Sequence, residues 1–205
     1  MEPVKILIIH DDMLDRDPLV VMLREVYGNE NVLLRKKSSE GIKYIHDNLD
    51  NKLIVLLDFD LGEGEPHAPE VLEKIREETS LIYVIIITAK QFSSIPAEAM
   101  VNFINNRALG IIQNTADTTD IMNLVGKAAH ELDSRIDCIL EQWILRRPDD
   151  ERNKPYLSTR SGKTYSLEQL ILEIRQQTDL GKQLEKSILQ LAIELLTNGN
   201  KKVDD

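Results

Sequence analysis

Val4-Lys5-Ile6-Leu7-Ile8-Ile9-His10-Asp11-Asp12 opens the chain with an apolar run that stops abruptly at three polar residues. A second run, Leu53 to Leu57 (LIVLL), stops in the same way at Asp58. Leu81 to Ile87 (LIYVIII) stops at Thr88-Ala89-Lys90, and Leu109 to Gln113 (LGIIQ) stops at Asn114-Thr115. Short continuous apolar runs without alternation are the mark of parallel strands covered on both faces. Val32-Leu33-Leu34 is a weaker fifth strand between two helical segments, Asp17 to Tyr27 and Ser39 to Leu49. Further helical spacing fills Ala68 to Glu78 and Ala97 to Asn106. The order βαβαβαβαβ with right-handed crossovers predicts one α/β domain, a five-stranded parallel sheet with helices on both sides. Ligands of such sheets sit beyond the carboxyl ends of the strands, where these runs place their polar residues.

Those residues define a chemistry. Asp11 and Asp12 after the first strand and Asp58 after the third put three carboxylates close together, an arrangement that repels itself unless a cation is present. Mg²⁺ suits it, because this hard ion takes a few carboxylate oxygens and keeps sites for water and phosphate oxygens. A carboxylate beside such an ion can attack phosphorus, and Thr88 supplies a hydroxyl for a phosphoryl oxygen.

On these residues, positions 1 to about 130 resemble a response-regulator receiver domain with the flavodoxin-like doubly wound fold. The resemblance implies that Asp58 accepts a phosphoryl group from a histidine kinase or phosphotransfer protein and that Thr88 senses it. It also implies that Asp11, Asp12, Asp58 and the backbone carbonyl of Asp60 hold Mg²⁺. The fifth strand departs from the family. Gly110-Ile111-Ile112-Gln113-Asn114-Thr115 carries Asn114 where the family has a lysine, and Ile111 where a switching aromatic is common. A neutral amide in place of a cation weakens one link between phosphorylation and backbone rearrangement. Lys90 reads as a solvated loop lysine, with a reach toward the phosphoryl group as the other reading. Gly62-Glu63-Gly64-Glu65-Pro66-His67-Ala68 is a long acidic loop that could reshape access to Asp58. His10 reads as packing or hydrogen-bonding beside the acid pair.

Two other functions fit parts of the sequence. Asp58-Phe59-Asp60 matches the nucleophile strand of haloacid-dehalogenase-type phosphatases, with Thr88 as their second motif, but that reading leaves Asp11 and Asp12 unemployed. A degenerate receiver that is never phosphorylated would serve as a binding scaffold. Otherwise no enzymatic activity is expected beyond turnover of the Asp58 phosphoryl group.

The expected domains are 1–131, the receiver; 132–147, an extension of its last helix; and 148–205, a small module. Ile121, Val125, Ala128, Leu132, Ile136, Ile139 and Trp143 approximate a heptad seam on one helix from Asp120 to Arg147. That helix would outrun the sheet and make a homodimer, unless the module covers the same stripe within one chain. Arg147 to Pro155 is polar and marks the boundary. Beyond it, Tyr156 to Tyr165 reads as a hairpin turning at Ser161-Gly162. Ser166 and Gln169 form a capping box for a helix over Leu167 to Gln176. A last helix from Thr178 or Asp179 to about Leu196 carries the stripe Leu184, Ile188, Leu191, Ala192, Leu195 and Leu196.

The net charge of −10 opposes a nonspecific grip on nucleic acid. From Pro148 onward nine Lys/Arg face ten Asp/Glu, with no basic recognition helix, so the expected output is a downstream protein effector rather than DNA. No apolar run is long enough to span a membrane, and a chain without a signal peptide ahead of the first strand is expected. The lone Cys138 forms no intramolecular disulfide and fits the cytoplasm.

Overall fold

The computed structural model describes residues 3–49, 51–133, 135–159 and 162–198. The chain divides into two compact units between Arg135 and Ile136.

The first unit alternates β1 (Lys5–Ile9), α1 (Pro18–Tyr27), β2 (Val32–Arg35), α2 (Ser38–Asp47), β3 (Leu53–Asp58), α3 (Ala68–Glu78), β4 (Tyr83–Thr88), α4 (Ala97–Asn105), β5 (Gly110–Gln113) and α5 (Thr118–Asp133). The strands form one sheet in the order β2-β1-β3-β4-β5, and every pairing is parallel. Burial explains why the strands read as unbroken apolar runs. Leu7, Ile9, Val55, Leu57, Val84 and Ile86 pack on one face with Ile45 of α2, Leu72 of α3 and Phe103 of α4. Ile6, Ile8, Ile54, Leu56, Ile85 and Ile87 pack on the other with Leu23 of α1 and Ile121, Val125, Ala128 and Leu132 of α5. Successive residues point to opposite faces, and both faces are dry.

The single helix expected from Asp120 to Arg147 is instead two. Helix α5 ends at Asp133, and α6 (Ile136–Leu145) begins the second unit. Between them the Arg135 guanidinium donates to the carbonyl of Leu81, ahead of β4, and holds the chain to the sheet. The seam therefore stops at Leu132, whose half of the stripe is fully used against the sheet.

The second unit continues with α7 (Asp149–Arg152), the antiparallel β6 (Leu157–Ser158) and β7 (Thr164–Tyr165), α8 (Leu167–Arg175) and α9 (Asp179–Asn198). Ser161 of the expected turn lies outside the described residues, while Gly162 adopts φ 85°, the left-handed region that favours glycine. The capping box forms: the Ser166 hydroxyl accepts from the Gln169 amide, and the Gln169 side chain accepts from the Ser166 amide. Helix α6 packs on α8, burying Ile144 with Leu167 and Ile171. Its buried face also carries Asp137 and Glu141, and both point at Arg175 of α8. Ile139 and Trp143, expected in the seam, are 53% and 40% exposed. Helix α6 turns a different face, carrying Asp137, Cys138, Glu141 and Ile144, into its own unit.

Candidate functional site

β1 and β3 are adjacent, with Ile9 opposite Leu57, so the segments leaving these two strands emerge side by side. That register brings Asp58, the last residue of β3, next to His10 and Asp11. The His10 Nδ1 lies 3.6 Å from Asp11 Oδ1 and 3.7 Å from Asp58 Oδ2. One donor atom from each of these three residues falls within 4.8 Å of the others, and they form the one such group of three or more potential ligands among the described residues. Asp12 is exposed and does not join the group; its amide donates to His10 Nδ1 at 3.3 Å.

Asp58 is buried, and burial is the main force that lifts its pKa to about 6. His10 beside it opposes the rise, Asp11 adds to it, and the Asp60 amide donates a hydrogen bond that favours the ionised form. A buried carboxylate with an acidic neighbour is a strong acceptor for any cation that replaces its lost water.

Thr88 ends β4, one residue beyond the Asp58–Ile87 pairing, and is fully buried. Its Oγ1 accepts from the Lys90 amide at 3.0 Å, which leaves the hydroxyl proton free for another oxygen. The Asn114 amide donates to the Thr88 carbonyl at 2.8 Å, and the residue lines a cleft of about 370 Å³ together with His10, Asp12, Met13 and Ile87. Asn114 thus borders the same strand ends as the acids, with no charge to offer.

The loop side of the site differs from the sequence reading in two ways. Lys90 is not a free solvated lysine: its Nζ donates to Asp60 Oδ1 at 2.8 Å and stands 4.5 Å from the centre of the Phe59 ring. His67 Nδ1 approaches the same carboxylate oxygen at 3.4 Å. The acidic loop also sends its charge elsewhere, since the Glu65 carboxylate accepts from the amide and hydroxyl of Ser38 at the start of α2. Those bonds hold the Glu65 carboxyl below its ordinary pKa. What reaches the site is the backbone at Gly62, where an added Cβ would stand 3.1 Å from Asp11 Oδ2. The loop consequently closes over Asp11 without bringing a further carboxylate to it.

No protein-family model and no curated protein matches the chain. Among solved structures it is similar to a CheY-like response-regulator receiver domain protein from Methanospirillum hungatei JF-1, at 21% identity over 65% of this chain and 98% of that one, with a TM-score of 0.53. A response-regulator receiver protein from Pseudomonas putida is 16% identical over 62% of this chain and 98% of that one, with a TM-score of 0.51. The first unit has the receiver-domain fold, and the helical second unit is an addition to it. Among the described residues no helix is long and apolar enough to cross a membrane.

Proposed function

We propose that the protein is a phosphorelay response regulator of the cytoplasm that takes a phosphoryl group on Asp58 and passes the signal on by protein–protein contact. The observation that carries this is the meeting of the buried Asp58 carboxylate with Asp11 at the carboxyl end of the central strands. Asp58 attacks the phosphorus of a phosphohistidine on a histidine kinase or phosphotransfer protein; the P–O bond forms, and the P–N electron pair leaves with the donor imidazole. Asp11 and Asp58 would hold a divalent cation, Mg²⁺ in the receiver family, with the Asp60 carbonyl and Asp12, which stands outside the converging group, as the further donors the family implies; that ion would supply charge neutralisation on the transferring group. Thr88 donates its free hydroxyl proton to a phosphoryl oxygen. Asn114 offers only a neutral amide to the same group.

The output is assigned to the second unit, through a second copy of the chain as well as a protein effector. Leu189, Leu191, Ile193, Leu195 and Leu196 of α9 are each at least half exposed. Leu184 and Ile188 line the groove above α6 and α8, and Leu191 and Leu195 continue their stripe at heptad spacing into solvent. Only Glu194 carries charge between Ser187 and Asn198. A stripe that is half core and half bare, with self-complementary spacing, fits another α9.

The scaffold reading, in which Asp58 is never phosphorylated, draws on the missing cation at Asn114. The phosphatase reading is disfavoured because Asp60, its acid–base residue, is held by Lys90. Incubation with acetyl phosphate and Mg²⁺ followed by intact-mass measurement separates these. An adduct of about 80 Da on the wild type and none on Asp58→Asn supports phosphorylation of Asp58; an unmodified wild type leaves the scaffold.

A further inference from the structure

The receiver pocket was expected to be built of oxygen alone, yet its third converging donor is an imidazole. His10 follows directly on β1, and its amide donates to the Arg35 carbonyl at 3.0 Å, which carries the β1–β2 pairing one residue further. The ring is thereby fixed at the strand end, with only 14% of its side chain exposed. Nδ1 is the ring nitrogen facing the two carboxylates, and the Asp12 amide, 3.3 Å from it, is a long contact that an entering cation would displace.

The distances identify what the cluster is shaped for. At 3.6 and 3.7 Å, Nδ1 is too far from Asp11 and Asp58 for the charge-assisted hydrogen bonds of an imidazolium, which close to about 2.7–2.9 Å. Two donors that each sit about 2.0–2.2 Å from a shared ion lie roughly 3.0–3.5 Å apart, a few tenths of an ångström from what is seen. One neutral nitrogen and two carboxylates leave open positions for water and a phosphoryl oxygen. Imidazole adds little for Mg²⁺, which prefers oxygen, and much for the first-row transition metals.

We propose that His10 is a direct metal ligand, and that with Asp11 and Asp58 it makes the pocket a mixed nitrogen–oxygen site that takes a first-row transition-metal dication, Mn²⁺ or Zn²⁺, in preference to Mg²⁺. The proposal rests on the reading of this pocket as the cation site of a phosphoacceptor. It replaces the expectation that His10 merely packs beside the acids.

The test is titration calorimetry of the full chain with Mn²⁺, Zn²⁺ and Mg²⁺ in turn, on wild type and His10→Val. The exposed His46, His67 and His130 are changed to Gln in both, so that no other imidazole contributes. The expected result is tighter binding of Mn²⁺ and Zn²⁺ than of Mg²⁺. His10→Val should lose about tenfold or more for the first two and remain within about twofold for Mg²⁺. In the same background, the ¹⁵N resonance of His10 Nδ1 shifts on Zn²⁺ addition, a readout that needs no variant at position 10 to fold. Unchanged metal preference in His10→Val together with an unmoved Nδ1 resonance overturns the proposal and leaves the phosphoacceptor reading standing. Failure of the parent to bind any of the three ions overturns both, and the acetyl phosphate mass assay then fails with it.

Discussion

The two units use similar aliphatic side chains to opposite ends. In the first, every β3 side chain and nearly all of β1 are buried, and charged groups are confined to strand ends and helix faces. In the second, the small cluster of Ile144, Leu167 and Ile171 is accompanied by a buried ionic group. Arg175 lies between Asp137 at 3.2 Å and Glu141 at 2.9 Å, all with side chains less than a tenth exposed. A sheet has two faces to cover and can absorb a long apolar list. A few helices and a two-stranded hairpin cannot, so the second unit leaves α9 bare and settles its packing with charges. The contrast separates a unit with two covered sheet faces from one that leaves part of its apolar surface exposed.

The largest expected effect lies in that ionic group. Arg175→Met leaves two carboxylates buried without their cation, and loss of one partner of a buried pair costs about 3–5 kcal/mol. Trp143 is the sole tryptophan and belongs to the second unit, so its fluorescence in a urea titration follows that unit alone. The expected outcome is an early tryptophan transition, with the circular dichroism of the sheet unit melting as in the wild type. Coincident early transitions by both probes would break the two-unit comparison. Adding Asp137→Leu and Glu141→Leu should recover most of the loss, since no charge then remains to be buried.

Next in size is self-association. Leu191→Lys with Leu195→Lys places like charges on the bare stripe of α9, and association should weaken about tenfold to a hundredfold, roughly 1.4–2.8 kcal/mol. Sedimentation at tens of micromolar should show a dimeric wild type and a monomeric variant with unchanged circular dichroism. A monomeric wild type removes the association role from the second unit.

In the first unit the corresponding probe is Asp58, a carboxylate buried at the edge of a core. Its pKa is about 6 in the folded chain, above that of an ordinary aspartate, so the folded state binds more protons between about pH 4 and 6. Stability in EDTA therefore falls as pH rises through that window. The penalty is complete above it and absent below it. Asp58→Asn should raise stability at pH 7 by on the order of 1–2 kcal/mol and flatten the decline, as read by thermal melts from pH 4.5 to 7.5. A melting profile identical to that of the variant would show that the buried charge is not costly.

How much of this was readable in the sequence depends on the separation of the partners. Strand ends such as Ile9-His10-Asp11 and Leu57-Asp58 were legible because apolar runs and their polar stops are local signals, and the sheet order then joins them. The capping box at Ser166 and Gln169 was legible for the same reason. Arg175 is 38 residues from Asp137, and Glu65 is 27 from Ser38; no spacing rule connects them. The single-helix reading that ran through Ile139 and Trp143 missed the second unit on this point, since treating acids as outward-facing hides a buried face made of Asp137, Cys138, Glu141 and Ile144. His10 was visible as a residue but not as a participant, because a lone histidine beside two acids gains meaning only when β3 brings Asp58 to it.

The smallest expected effect sharpens the chemistry of the first unit. Lys90 and Asp60 are 30 residues apart, and each side chain is about 40% exposed. Pairs of that exposure contribute under about 1 kcal/mol, so Lys90→Met should leave the melting temperature nearly unchanged. Its chemical consequence is larger. Asn114 carries no charge, and Lys90 is tied into the site from two sides: its amide bonds Thr88 Oγ1, and its carbonyl accepts from the Gln113 side chain at 2.9 Å. With the backbone bonded to Thr88 of β4 and Gln113 of β5, the ammonium group is a cation that could leave Asp60 for an incoming phosphoryl oxygen. Lys90→Met should therefore slow acetyl phosphate labelling of Asp58 severalfold at constant stability, and Asn114→Lys added to it should restore the rate. A variant that labels as fast as the wild type would return Lys90 to a purely structural pairing with Asp60.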